Sequence, residues 1–439
     1  MEPLGNAQRG MRTVAPVGRR SQAGISRRGV LQLAALGGAS WLTPVAHLLA
    51  ERAEQSPGRE PAQSLILLWL AGGPSQLETF DPQPGKPIAG DTRAIDTAIK
   101  GVQFAAGYER LAEQAQRLAI VRSLVSKEGD HERGTYLVKT GHRPDPTVIH
   151  PSIGAICCHQ LPVATTEIPR HISILPNQWS GVGGLLGKQY DAFKCYDPAA
   201  KVPDVSASVS DERFARRLND LAVVEQAFSR GRAKQTQATL HQATIANARK
   251  MMSSEQLRAF EIDGEPLALR QAYGDTPFGR GCLAARRLVE VGVRCVEVTL
   301  GGWDSHVNNH EIHKGLAPTL DAALGALLQD LHDRELLGKT IVMCGGEFGR
   351  TPQINRLEGR DHWPHGFTML LAGGRLRGGT VVGATDPEGG RKVEAPQQVA
   401  DVHATVLTAL GIDPRHEELA PIGRPIKFSE GQAIAGLLQ

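Results

Sequence analysis

The chain has 439 residues, 41% of them hydrophobic and 22% charged, a balance that fits an ordinary folded protein and excludes a disordered or collagenous one. Its formal charge of +3 is concentrated at one end. The first fifty residues hold six arginines against the single acid Glu2, so the remainder is slightly acidic and nothing points to a nucleic-acid partner.

The twin arginines Arg27 and Arg28 precede a stretch to Ala50 that lacks Asp, Glu, Lys and Arg. This pattern predicts a twin-arginine export signal over residues 1–50 and delivery to the periplasm or cell surface. Gly37, Gly38, Ser40 and Pro44 dilute its apolar density below that of a spanning helix, and no later segment is long and apolar enough to cross a bilayer. Residues 51–63 read as a polar linker. The six cysteines are scattered without metal-finger spacing and read as buried free thiols.

From residue 64 onward short apolar runs alternate with helical patterns. The runs 64–73, 118–124, 170–176, 293–302, 339–346 and 367–374 predict core strands that end in glycine-rich turns. Residues 280–292 predict a helix entering the 293–300 strand. Leu320, Leu324, Leu327, Leu328 and Leu331 form a one-sided stripe that predicts a second helix, beginning near Pro318. Charge-rich residues 196–270 predict an amphipathic helical insertion within one domain spanning 64–439. The fold class expected is α/β, with a mostly parallel central sheet covered by helices on both faces.

Ligands of such sheets gather where the strands end. After the first run come Glu78 and Asp81. The run at 118–124 leads to Asp130, His131 and Arg133, and the run at 293–300 leads to Asp304, His306 and His310. After 339–344 comes GEFGRTP with Glu347 and Arg350, followed by GRDHWPHG with His362. Asp, Glu and His together suit Zn²⁺, and also Mn²⁺, Fe or Ca²⁺. Arg350 and Arg133 carry planar forks able to grip phosphate or sulfate oxygens. The alternatives are local: Asp304 as a helix cap, Glu347 paired with Arg350 three residues on, His362 as a packed loop histidine.

The segments WLAGGPSQLETFDPQPGKP, RGTYLVKTGHRP, YGDTPFGRGCLAARRLVEVGVRCVEVTLGGWDSHVNNH and GEFGRTPQINRLEGRDHWPHGFTMLLAGG resemble domain-of-unknown-function family 1501, a sulfatase-like branch of the alkaline phosphatase superfamily. The resemblance covers roughly residues 60–437 and implies an alkaline phosphatase-like fold. It places Asp304, His306, Glu347 and His362 at metal-ligand positions, with Glu78 or Asp81 as the N-terminal metal carboxylate. The chain departs from the pattern at Phe348, where the superfamily has a histidine, and at Gln76 and Glu78, where His and Asp are common. His131 stands where sulfatases carry the cysteine that becomes formylglycine, which argues against that chemistry. Two functions follow as expectations. One is an exported metal-dependent hydrolase of phosphate or sulfate esters, acting on an anionic small molecule or glycan, with activated water or His131 as the attacker. The other is a catalytically reduced binding protein of the same fold that recognises an anionic glycan, lipid or partner protein.

Overall fold

The structure is a computed structural model and describes residues 60–162, 165–232 and 240–439. The chain divides into two units, Met1–Glu60 and Pro61–Gln439. The export signal and most of the linker lie outside the described residues.

Among the described residues nine strands form the main sheet: β1 (Ser64–Leu70), β2 (Leu118–Val125), β3 (His171–Ile174), β4 (Phe193–Cys195), β5 (Cys295–Leu300), β6 (Thr340–Gly345), β7 (Phe367–Gly373), β8 (Thr380–Val382) and β9 (Gln397–Gln398). Their order is β8-β2-β7-β6-β1-β5-β3-β4, with β9 pairing β2. Every pairing is parallel except those of β7, which runs antiparallel to β2 and β6. All six strands expected from the apolar runs are present. The fold is α/β with a mostly parallel sheet, as expected.

The seven residues of β1 are buried throughout, which explains why the run is continuously apolar where a half-solvated strand would alternate. The helices in chain order include α1 (His131–Thr140), α2 (Ile153–Gln160), α3 (Asp211–Ser229), α4 (His241–Met252), α5 (Pro277–Glu290) and α6 (Asn309–Asp333). Ile66, Leu68 and Leu70 face one core, shared with α5 and α6. Leu65, Leu67 and Trp69 face the other, shared with α1, α2 and α7 (Val399–Ala409). The leucine stripe of α6 is buried at all five positions.

One boundary differs from expectation. Helix α6 begins at Asn309, and Pro318 lies inside it. Proline favours a first helical turn, but here the buried His313 and Ala317 pack ahead of it, and that packing outweighs one missing backbone hydrogen bond. Among the described residues of 196–270 lie the α-helices α3 and α4 and the start of a short one, Leu267–Tyr273. All six cysteines are free and buried. Among the described residues no helix is long and apolar enough to cross a membrane.

The direction of β7 matters for the site. Phe367, its first residue, pairs with Leu124 near the end of β2. The segment before β7 therefore reaches the same rim as the segments after β1, β2, β5 and β6.

Candidate metal centre

The turn after β1 is built on Gly72 and Gly73, both at positive φ. A Cβ on Gly72 would stand 2.4 Å from the amide nitrogen of Asp304, so only glycine lets the turns after β1 and β5 touch. Glu347, just after β6, accepts the Gly72 N–H at 2.9 Å. Arg350 donates from Nε to the Gly73 carbonyl at 2.9 Å, from Nη1 to the Arg360 carbonyl at 3.1 Å, and from Nη2 to the Gly72 carbonyl and to Asp304 Oδ1, the last at 2.6 Å. These bonds lock three rim segments together.

His131 opens α1, whose N-cap Asp130 accepts the Arg133 N–H. A two-stranded ribbon pairs Gly349–Arg350 with His362–Trp363, placing Arg350 opposite His362. Directly paired residues share a face, and both side chains meet Asp304.

Three residues, His131, Asp304 and His362, offer ligand atoms that all lie within 4.8 Å of one another, and His306 borders them. His306 Nε2 stands 3.0 Å from His362 Nε2 and 3.2 Å from Asp304 Oδ1. His362 Nε2 is 3.4 Å from Asp304 Oδ1, and His131 Nε2 is 3.3 Å from Asp304 Oδ2. The other nitrogen of each imidazole is occupied. His362 Nδ1–H donates to the Gly129 carbonyl at 2.7 Å, His306 Nδ1–H to Asp361 Oδ1 at 2.9 Å, and His131 Nδ1–H to Glu347 Oε1 at 2.7 Å. A carbonyl can only accept, so His362 presents a lone pair from Nε2 toward the neighbouring imidazole and carboxylate. Ligands about 2.0–2.1 Å from a tetrahedral Zn²⁺ stand about 3.3 Å apart. The observed spacings bracket that value, and each imidazole has the second hydrogen bond that metal-ligating histidines carry. The residues fit a divalent cation.

The charges are tuned around the centre. The hydrogen bond to Glu347 pushes the His131 imidazole above its ordinary range. Burial pushes His362 below it. Burial would raise the Asp304 carboxyl, but Arg350 and the adjoining histidines outweigh it and hold it low. The hydrogen bond from His306 likewise lowers Asp361. The mouth is open: the Asp304 and His306 side chains are 47% and 44% exposed.

Of the expected site residues, the structure brings together His131, Asp304, His306, Glu347, Arg350 and His362. Three stand apart. Glu78 is buried and accepts from Arg360 at 2.8 Å and Thr92 at 2.9 Å. Burial pushes its carboxyl up, yet Arg360, with help from His313, Ser75 and Asn309, holds it at about 2. Asp81 is buried, accepts two hydrogen bonds from Thr385 and pairs with Arg122 at 3.3 Å. Burial raises its carboxyl against those partners. Arg133 lies against Glu128 through Nε and Nη2, at 2.6 and 3.1 Å. Asp361 was not among the expected residues. Its place beside His362 in the sequence was a signal, but its partner is His306, 55 residues away.

No curated protein matches the chain. Several solved structures are similar. They include the lipoteichoic acid synthase LtaP from Listeria monocytogenes, at 11% identity and TM-score 0.38 over 84% of this chain and 74% of that one. The PsFucS1 sulfatase from Pseudoalteromonas sp. matches at 11% identity and TM-score 0.37, over 82% and 70%. Alkaline phosphatase from the Antarctic bacterium TAB5 matches at 12% identity and TM-score 0.32, over 80% and 99%. Likeness at this level carries no conclusion about chemistry. By its sequence from 62 to 438, the chain belongs to the family described as "Protein of unknown function (DUF1501)".

Proposed function

We propose that this protein is a divalent-metal-dependent hydrolase of phosphate or sulfate esters. The observation that supports it is the cluster of His131, Asp304 and His362, whose ligand atoms all lie within 4.8 Å of one another, with His306 Nε2 bordering it at 3.0 Å from His362 Nε2. Three protein ligands leave a position for water. Zn²⁺ suits this mostly nitrogen donor set best, with Mn²⁺ or Fe²⁺ next; Ca²⁺, which prefers oxygen, suits it least.

In this reading Asp361 and the Gly129 carbonyl hold His306 and His362 with Nε2 turned inward, and Glu347 does the same for His131. Arg350 fixes the Asp304 carboxylate and keeps it ionised. When bound, a divalent ion supplies Lewis acidity that polarises an ester oxygen and acidifies water. His131 has both nitrogens turned to carboxylates, so the attacker assigned here is water. The half-exposed Asp304 and His306 give an anionic small molecule or glycan access from solvent. Export by the twin-arginine route to the periplasm or cell surface belongs to the same proposal, supported by Arg27 and Arg28.

One observation favours the second reading, a binding protein for an anionic glycan, lipid or partner protein. Every nitrogen of the Arg350 guanidinium already has a protein acceptor, which leaves it no free fork for a substrate oxyanion. Metal analysis of protein purified without chelators, alongside turnover of aryl phosphate and aryl sulfate esters, separates the two. Bound metal with turnover that vanishes in H362A supports the hydrolase. Bound metal with no turnover on either ester class supports the binding protein, and protein without metal overturns the metal centre.

A further inference from the structure

Glu347 is buried, and its two oxygens are treated differently. Oε1 takes the Gly72 N–H and the His131 Nδ1–H, while Oε2 is buried without a hydrogen-bond partner. A buried carboxylate oxygen with nothing to accept invites a second cation beside the first. The surroundings oppose one.

The side chain next to Glu347 is Phe348, fully buried, its ring centroid 5.2 Å from that of His131 and 4.4 Å from that of His362 at an interplanar angle of 32°. It also presses on the turn after β1. A Cβ on Gly73 would come within 2.6 Å of the ring. The phenyl group thus fills the space between two imidazoles and the Gly72–Gly73 turn, and it offers no lone pair to an ion.

A positive charge is already resident there. The Arg350 guanidinium is fully buried, held by three backbone carbonyls, and lies 2.6 Å from Asp304 Oδ1 and 5.9 Å from the Phe348 ring. Asp304, Glu347 and Asp361 are the carboxylates of the centre. Arg350 and one divalent ion neutralise them, whereas a second divalent ion would leave a net positive charge that includes buried groups, an arrangement with a large desolvation penalty.

We infer that the centre is mononuclear, with Phe348 closing the position where a further donor would stand and Arg350 serving as the second, built-in positive charge. This rests on the metal reading above. It makes residue 348 the determinant of how many ions the chain holds.

The test is metal stoichiometry of the full mature chain, stripped of metal, titrated with Zn²⁺ or Co²⁺ and freed of excess ion by gel filtration. One equivalent is expected for the wild type. F348H, which puts an imidazole of similar outline beside Glu347, is expected to retain two. F348L, which opens the same space without a donor, is expected to retain one, and the Co²⁺ absorption bands report a single four-coordinate site in the wild type. Two equivalents in the wild type, or a folded F348H that still holds one, would overturn the inference. If F348H does not fold, the wild-type count and F348L decide it. A wild type that retains no metal overturns the metal reading itself.

Discussion

His306 Nε2 and His362 Nε2 stand 3.0 Å apart with their Nδ1 atoms engaged by Asp361 and the Gly129 carbonyl. In the proposed reading, a cation beside Asp304 would stabilise two imidazole nitrogens held this close. H306A and H362A are each expected to weaken metal binding by more than about 100-fold. D361N, which keeps the shape but loses the anionic acceptor, is expected to weaken it by about 10–100-fold. Competition with a chelator of known affinity measures all three, and an unchanged affinity in H362A would remove it from the donor set.

Glu78 and Arg360 form a buried ion pair at 2.8 Å, separate from that donor set. Arg360 also donates to the Thr351, Pro352 and Ile88 carbonyls, so it ties the loop carrying Asp361 and His362 to the segment after β1. E78Q leaves this guanidinium buried without a counter-charge and is expected to cost about 3–5 kcal/mol of stability. Urea unfolding measures the loss. Metal stoichiometry at saturating ion should stay at the wild-type value, because Glu78 is not a ligand in this arrangement.

Acid should weaken the fold from about pH 6.5 downward. His313 and His403 are buried, and burial pushes each imidazole down to about 4. His313 accepts the Ser75 N–H at Nε2, a bond available only to the neutral ring. In the unfolded chain both histidines take a proton near pH 6.5. Between that pH and about 4 the unfolded state holds more protons, so stability falls as pH falls. Each histidine contributes about 1.4 kcal/mol per pH unit across this window. Urea midpoints between pH 7 and 4.5 check the slope, and H403Q, whose amide can still donate to the Val138 carbonyl, should reduce it.

Gly359 packs against the segment that carries His306. A Cβ there would stand 1.8 Å from the His306 carbonyl oxygen, while Arg360 N–H donates to Ser305 and Asn309 N–H to Glu358 across the same pair of segments. G359A must pry them apart and displace His306 from Asp361. Metal affinity is expected to fall by at least about 10-fold, as for loss of an outer hydrogen bond, with the circular dichroism of the main sheet retained.

Much of this architecture was legible from residue order because it rests on local periodicity. Fully buried strands demand continuous apolar runs, and all six such runs became strands. The leucine stripe marked α6 because one helical face had to be buried. The short strands β4, β8 and β9 were not legible; two or three residues carry no period, and neighbouring strands hold them in place. Glu78 and Asp81 followed the first strand as ligands would. Their arginine partners, Arg360 and Arg122, come from distant segments that no local pattern connects to them.

The sequence by itself determined the alternation of strand and helix and delivered acids and histidines to the ends of strands, because these depend on backbone propensity and the burial of one face. Tertiary structure decided which of those side chains meet. The reversed direction of β7 carries His362 to the rim where the parallel strands end, and the ribbon with Arg350 turns it toward Asp304. A metal centre is defined at the scale of single bonds between atoms. Only packing sets those distances, since the same residue spacing is compatible with many directions of each side chain.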